Sequence, residues 1–122
     1  AWDGEHFILS DGTEILRFLE PDSFDVVRTV TVRDHRGIVD LLNELEWIEG
    51  KLYANRWHTD DILIIDPGSG VVEATLNLVA LERPRPRVSE YVINGIAFDP
   101  EKGLLHVTGK RWPRIYILRI RE

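Results

Sequence analysis

Two parts of this chain repeat one another, and the repeat restricts the possible folds more than any other property of the sequence. Asn43-Glu44-Leu45-Glu46-Trp47 aligns with Asn94-Gly95-Ile96-Ala97-Phe98, which lies 51 residues further along. The alignment continues downstream, with Asn55-Arg56-Trp57 on Lys110-Arg111-Trp112 and residues 61–65 on residues 114–118. Self-similarity at a period of about 40–50 residues is typical of stacked supersecondary units such as propeller blades.

Most apolar segments are short, rich in β-branched residues and bounded by turn signals, which predicts strands rather than helices. We expect strands near residues 6–10, 14–19, 25–32, 51–57, 61–65, 71–78, 91–98, 104–110 and 114–120. Proline, which presets φ, and glycine, which supplies positive φ, mark the turns, as in Asp66-Pro67-Gly68-Ser69-Gly70. The sequence therefore predicts an all-β fold with tight antiparallel connections.

Residues 38–50 are ambiguous when they are taken alone. Their apolar positions 38, 41, 42, 45 and 48 follow helical spacing, and Gly50 is a typical helix stop. The repeat pairs residues 43–47 with residues 94–98, which have an apolar strand pattern. We therefore predict a strand at 43–47.

The predicted strands form three units, at about residues 5–32, 42–78 and 91–120. The second unit has four strands, the first lacks an inner strand, and the third stops after its third strand. A blade buries its faces only against neighbouring blades. We therefore expect residues 1–122 to form a partial β-propeller of about two and a half four-stranded antiparallel blades, completed by further sequence or by another subunit.

The composition argues against several classes of function. With 15 Lys+Arg against 21 Asp+Glu, the net charge of −6 disfavours nucleic-acid binding. The absence of cysteine excludes disulfides and thiolate zinc sites, and the four histidines lie far apart in no zinc pattern. The apolar runs are too short to span a membrane, and the first residues lack signal-peptide regions, so we expect a soluble or processed chain.

One segment, Leu81-Glu82-Arg83-Pro84-Arg85-Pro86-Arg87, is biased in composition. Such a segment is usually a solvated, proline-stiffened loop between units. The alternative is a docking site for a partner.

Five motifs occur in the order found in the plant and bacterial type of glutaminyl cyclase. They are Leu42-Asn43-Glu44-Leu45-Glu46, Tyr53-Ala54-Asn55-Arg56-Trp57 with Thr59-Asp60, Ile65-Asp66-Pro67-Gly68-Ser69-Gly70, Val92-Ile93-Asn94-Gly95-Ile96-Ala97 and Val107-Thr108-Gly109-Lys110-Arg111-Trp112-Pro113. Ser10-Asp11-Gly12-Thr13 is similar to the preceding blade of that family. The chain thus resembles the C-terminal half of the five-bladed propeller of the glutamine cyclotransferase family.

This resemblance implies an enzyme that cyclises the N-terminal glutamine of a peptide to pyroglutamate and releases ammonia, without a metal or another cofactor. Such an enzyme must fold the glutamine side chain back, deprotonate the α-amine, stabilise an oxyanion and protonate the leaving nitrogen. Family members are often secreted or periplasmic, while the compartment of this chain stays open.

Three residues are candidates for this chemistry. Lys110 would stabilise the oxyanion or hold the substrate amide oxygen, and its alternative is a surface lysine. Asn43 would hold the substrate carboxamide, and its alternative is a side chain that binds nearby backbone. Trp57 would pack against the glutamine methylenes, and its alternative is packing between blades, the role we expect for Trp112. We expect Asn94 to be structural.

Strand geometry indicates that the candidates meet. When two neighbouring strands are antiparallel, the start of the first and the end of the second lie at the same end of the sheet, which forms one rim of the propeller. Asn43 and Asn94 begin inner strands, whereas Asp11, Trp57, Lys110 and Trp112 close second strands. All of them are therefore expected at one mouth of the ring.

The presumed acid/base glutamate of the family lies in an earlier blade, outside this sequence. Strand alternation separates Glu44 and Glu46 from Asn43, so neither is assigned the role. Since an acid/base group contributes roughly 10²–10⁴ in rate, the isolated chain is expected to be nearly inactive.

Three hypotheses follow for the chain. It is part of a glutaminyl cyclase, a non-catalytic binding module derived from a propeller, or a half-ring that assembles with a second copy.

Overall fold

The computed structural model describes residues 1–81 and 91–121. These residues form twelve β-strands: β1 (Phe7–Leu9), β2 (Ile15–Leu19), β3 (Val26–Thr31), β4 (Arg33–Asp34), β5 (Gly37–Ile38), β6 (Leu42–Ile48), β7 (Lys51–Arg56), β8 (Asp61–Ile65), β9 (Val72–Asn77), β10 (Ile93–Asp99), β11 (Leu104–Gly109) and β12 (Tyr116–Leu118). The all-β prediction is confirmed for this part of the chain. The two alternatives for the Arg-Pro-rich segment concern residues 82–87, which lie outside the described residues.

The strands form three main antiparallel sheets, ordered β1-β2-β3, β6-β7-β8-β9 and β10-β11-β12, and β4 and β5 form a separate hairpin. The strand predicted at 43–47 is confirmed as part of β6. A tight turn joins β6 to β7, with Ile48 paired to Lys51 and positive φ at both Glu49 and Gly50, as hairpin turns of this length require. Gly50 therefore ends a strand rather than a helix.

The two central strands of the middle sheet, β7 and β8, are buried on both faces. Along β7, Leu52 and Ala54 belong to an apolar cluster shared with the first sheet, whereas Tyr53 belongs to a second cluster shared with the third sheet. On β8, Leu63 and Ile62 divide between the clusters in the same way. This alternation is what a strand shows when its sheet is packed between two others.

The outer faces of the first and third sheets expose large apolar side chains. Phe7 and Leu9 flank the buried Ile8 on β1 and therefore lie on the opposite face from it. On β12, Ile117 is 60% exposed while Leu118 packs against the second cluster. In the ranges 1–81 and 91–121, no helix has the length and apolar character needed to cross a membrane.

Candidate functional site

A cavity of about 310 Å³ lies where the three main sheets meet at one end. It is lined by Asp11 and Gly12 after β1, Leu42 and Asn43 at the start of β6, Trp57 after β7, Val92 and Asn94 at the start of β10, and Lys110 after β11. Each main sheet thus contributes at least two lining residues.

The structure brings the predicted site residues together. Asn43, Trp57 and Lys110 all line this cavity, and so do Asp11 and Asn94. The expectation that strand starts and strand ends converge at one rim is confirmed for these five residues. The catalytic and binding roles of Asn43, Lys110 and Trp57 remain predictions.

Both asparagines lie at irregularities in a strand ladder. The register of β6 with β7 shifts between Leu42 and Leu45, a stretch that contains Asn43. The register of β10 with β11 shifts between Ile93 and Gly95, which flank Asn94. A bulge of this kind bends the strand and redirects a side chain, and bulges are common beside functional sites.

Backbone hydrogen bonds fix the cavity wall formed by the first and middle sheets. The N–H of Leu41 donates to the carbonyl of Gly12 over 2.9 Å, and the N–H of Gly12 donates to the carbonyl of Leu42 over 3.1 Å. Leu41 has a φ of 61°, a left-handed conformation that costs free energy outside glycine. The Asp11-Gly12 turn is thereby held against the start of β6, next to Asn43.

The strand registers correct one part of the repeat alignment. Leu45 pairs with Ala54 in the middle sheet, and Ile96 pairs with Val107 in the third. Because Leu45 and Ile96 are equivalent, Ala54 corresponds to Val107, and Trp57 corresponds to Lys110 rather than to Trp112. The predicted match of residues 55–57 with residues 110–112 is therefore wrong by two positions. It followed the shared Arg-Trp pair, whereas hydrogen bonding sets the true register.

Trp112 packs into the second apolar cluster and is absent from the cavity lining. Its Nε1 donates to the carbonyl of Tyr91 over 2.7 Å. The indole lies directly over Gly109, where an added Cβ would come within 2.3 Å of the ring. The packing role predicted for Trp112 is confirmed, whereas its predicted match with Trp57 is wrong, because Trp112 lies two positions beyond the equivalent of Trp57.

Trp57 is 40% exposed and stacks on the imidazole of His58, with ring centroids 4.0 Å apart. Lys110 is also exposed. Among residues 1–81 and 91–121, no hydrogen bond or ion pair is found for the side chains of Lys110, Asn43 or Asn94. A ligand in the cavity would therefore meet an ammonium, two carboxamides and one indole face.

Asp11 contributes the one carboxylate on the cavity lining within the described residues. Its Oδ1 accepts hydrogen bonds from the hydroxyl and the N–H of Thr13, and its Oδ2 accepts one from Arg17 over 2.6 Å. These donors, the Thr13 hydroxyl first, lower the pKa of Asp11 below the usual value for an aspartate. Since three hydrogen bonds and a lowered pKa stabilise its charged form, Asp11 is poorly suited to act as an acid or a base at neutral pH.

Neither Glu44 nor Glu46 lines the cavity. The Oε2 of Glu46 instead accepts a hydrogen bond of 3.0 Å from the N–H of Phe98, which joins the middle sheet to the third. Glu44 is exposed. Within the two described ranges, no group of three or more His, Asp or Glu side chains could hold a metal ion.

The sequence-based prediction missed Asn55, which is fully buried behind the cavity. Its position next to Arg56 and Trp57 gave no sign of a role, although a carboxamide that directly follows the apolar strand residues 52–54 is itself a signal, because a buried polar group needs partners. The stacking of His58 on Trp57 was missed as well, since neither residue type predicts it.

The fold defines an all-β protein of stacked antiparallel sheets whose strand ends line one cavity. Residues 1–120 match the sequence profile of the glutamine cyclotransferase family. The chain is 36% identical, over 125 aligned residues, to the glutaminyl-peptide cyclotransferase of Arabidopsis thaliana, with 100% of the chain and 39% of that protein covered. It is 41% identical to the crystal structure of Myxococcus xanthus glutaminyl cyclase, with a TM-score of 0.88 and coverage of 98% of the chain and 52% of that structure.

The chain belongs to the glutamine cyclotransferase family. It spans about two fifths of the plant relative's length and about half of the bacterial structure.

Proposed function

We propose that this chain forms part of a glutaminyl-peptide cyclotransferase that converts an N-terminal glutamine to pyroglutamate. In this reaction the neutral α-amine nitrogen attacks the side-chain amide carbon and forms a carbon–nitrogen bond. The bond from that carbon to the amide nitrogen then breaks. The attacking nitrogen loses a proton, the leaving nitrogen gains one, and ammonia is released, so that no oxidant or co-reactant is needed.

The observation that carries this proposal is the convergence of Asn43, Asn94, Trp57 and Lys110 on one cavity of about 310 Å³. An N-terminal glutamine presents a carboxamide, an amine and two methylene groups. A cavity with carboxamides, an ammonium and an indole offers complementary groups for the carboxamide and for the methylenes of that residue.

Three of the lining residues have a task within this proposal. Asn43 holds the substrate carboxamide, since an asparagine side chain can donate to the amide oxygen and accept from the amide nitrogen. Lys110 stabilises the negative charge that develops on that oxygen in the tetrahedral intermediate. Trp57 packs against the methylenes and excludes water, which strengthens both polar interactions.

The proton transfers require a group from outside this chain. Asp11 is engaged by Thr13 and Arg17, and Glu46 is engaged by Phe98, so neither carboxylate is free to shuttle a proton. We therefore propose that a glutamate from additional sequence supplies the acid/base function. Without it the chain is expected to lose roughly 10²–10⁴ in rate.

We further propose that additional sheets cover the exposed apolar faces of the first and third sheets and complete a five-bladed propeller. Phe7 and Leu9 on one side and Ile117 on the other support this, because exposed apolar groups on a sheet face favour packing against another sheet. The chain's relatives also extend well beyond the matched part. The remaining blades come from a longer polypeptide or from another subunit.

The test is ammonia release from a peptide that begins with glutamine, measured for this chain with and without the complementary half of a family member. We expect turnover only when both halves are present, and we expect none with a matched peptide that begins with asparagine. A chelator should leave the rate unchanged. Absence of turnover with both halves present would overturn the proposal.

Native mass measured in the same samples separates the alternatives. A particle of two copies of this chain would favour a self-assembled half-ring. Saturable binding of the glutaminyl peptide without ammonia release would favour a non-catalytic binding module.

A further inference from the structure

Asn55 is the one polar side chain that is buried among the described residues, at 0% exposure. It lies on β7 directly after the buried residues Leu52, Tyr53 and Ala54. A carboxamide in such surroundings is destabilising unless its donors and acceptor find partners. The identity of those partners therefore indicates what the residue is for.

The two partners of Asn55 lie beside the two cavity asparagines. Its Oδ1 accepts a hydrogen bond of 2.7 Å from the N–H of Glu44, which belongs to the peptide group that follows Asn43. Its Nδ2 donates over 2.7 Å to the carbonyl of Ile93, which belongs to the peptide group that precedes Asn94. One side chain thus bonds both the middle sheet and the third sheet.

Both peptide groups lie at interruptions of a strand ladder. Asn43 and Glu44 have no partner in the β6–β7 register, and Asn94 has none in the β10–β11 register. Buried backbone groups that lose their ladder bonds must be satisfied by other groups. Asn55 supplies a bond at each interruption, and the hydroxyl of Ser10 supplies another to the carbonyl of Asn43.

We infer that Asn55 is a positioning residue that sets the separation and orientation of Asn43 and Asn94 across the cavity. Its carboxamide fits both bulges because it has an acceptor on one side and a donor on the other. This inference deepens the proposed function, on which its kinetic consequence depends. Asn55 itself does not line the cavity.

The substitution Asn55→Asp separates the two bonds. An aspartate keeps an acceptor for the N–H of Glu44 but brings an oxygen against the carbonyl of Ile93. The substitution Asn55→Ala removes both bonds. Val32→Ala is the matched control, because Val32 is also fully buried but lies in the apolar cluster between the first and middle sheets.

The experiment records ¹H–¹⁵N spectra of the 122-residue chain and its variants. We expect Asn55→Ala to shift the backbone and side-chain amide signals of Asn43 and Asn94, and Asn55→Asp to shift those of Asn94 most. Val32→Ala should leave both residues unchanged. Unchanged Asn43 and Asn94 signals in a folded Asn55 variant, or equal shifts in Val32→Ala, would overturn the inference.

A second measurement needs no variant and covers the case in which the substituted chains do not fold. In the wild-type chain, the side-chain amide protons of Asn55 should exchange with solvent much more slowly than those of Asn77. Asn77 also donates a 2.7 Å hydrogen bond, to Asp61, but it is exposed. Equal exchange rates would contradict the buried bridge.

The kinetic readout uses the assembly that cyclises a glutaminyl peptide. We expect Asn55→Asp to lower kcat/KM about 10- to 100-fold, because small displacements of positioning groups cause losses of that order. Val32→Ala should retain kcat/KM. If the wild-type assembly shows no turnover, the proposed function fails, whereas the spectra and exchange rates still decide the role of Asn55.

Discussion

Trp57 and Lys110 hold the same backbone position in two consecutive sheets. The N–H of Trp57 donates to the carbonyl of Leu41 over 2.7 Å, and the N–H of Lys110 donates to that of Val92 over 2.9 Å. Each is followed by a residue in the left-handed region, His58 at a φ of 65° and Arg111 at 60°. One repeated backbone geometry therefore presents an indole from one sheet and an ammonium from the next to the same cavity.

Replacing Lys110 with alanine should reduce ammonia release from a glutaminyl peptide by about 10²–10³-fold in an active assembly, the loss typical of removing one oxyanion donor. The free energy of unfolding should change by less than about 0.5 kcal/mol, because the side chain is exposed. Lys102→Ala, at an exposed turn away from the cavity, is the control and should keep full activity. Full activity in Lys110→Ala would remove Lys110 from the mechanism.

Replacing Asn43 with aspartate should lower kcat/KM while preserving the fold. The variant keeps the shape of the side chain but loses the amide donor and adds a negative charge beside the developing oxyanion. We expect a loss of about 10²-fold or more, measured as initial rates over a range of peptide concentrations. Asn77→Asp changes an exposed carboxamide on β9 in the same way, and equal losses in the two variants would contradict a specific role for Asn43.

Gly70→Ala should destabilise the chain by at least about 2 kcal/mol, measured by denaturant unfolding. Gly70 has a φ of 79°, and a Cβ there would come within 2.2 Å of the carbonyl oxygen of Thr31. Gly68→Ala in the same turn is the control, since its Cβ would approach nothing closer than 3.6 Å. Similar unfolding curves for the two variants would show that the contact of this turn with β3 is loose.

Asp11 should titrate below the reference value of about 3.9 for an aspartate, because Thr13 and Arg17 stabilise its charged form. A group with a lowered folded-state pKa stabilises the fold above the unfolded-state value and loses that contribution as the pH falls through the folded-state value. The stabilisation from Asp11 should therefore be present at neutral pH and disappear below about pH 4.

A carboxyl ¹³C titration measures this effect. Thr13→Ala removes the largest contribution to the shift, so it should move the pKa of Asp11 up toward the reference value. An unchanged titration in Thr13→Ala would show that another donor sets the pKa.

The prediction of strand β6 depended on the internal sequence repeat. Helical spacing alone would have placed a helix over residues 38–50, and only the pairing with residues 94–98 indicated the strand that is observed at Leu42–Ile48. The convergence of Asn43, Trp57 and Lys110 was predictable as well, because antiparallel strands bring their starts and ends to a common rim.

The rest depended on features that a sequence pattern does not carry. The hairpin of β4 and β5 has only two residues in each strand, too few for any periodicity. The partners of Asn55 are backbone atoms 11 and 38 residues away, and no side-chain pattern records them. The two-position error for Trp112 arose because the alignment followed the Arg-Trp pair that occurs in both units. The hydrogen-bond register of the strands, which sets the true equivalence, is not visible in the sequence.

The burial of β7 and β8 on both faces of the middle sheet has a consequence for the dimensions of the cavity. Because the lining residues come from three sheets, the distances between them depend on the thickness of the two apolar layers that separate those sheets. A larger side chain deep in either layer would push neighbouring sheets apart. Affinity for a small ligand would then change through substitutions at positions that never contact the ligand. Hydrostatic pressure, which compresses internal voids, would change the same separation between the sheets.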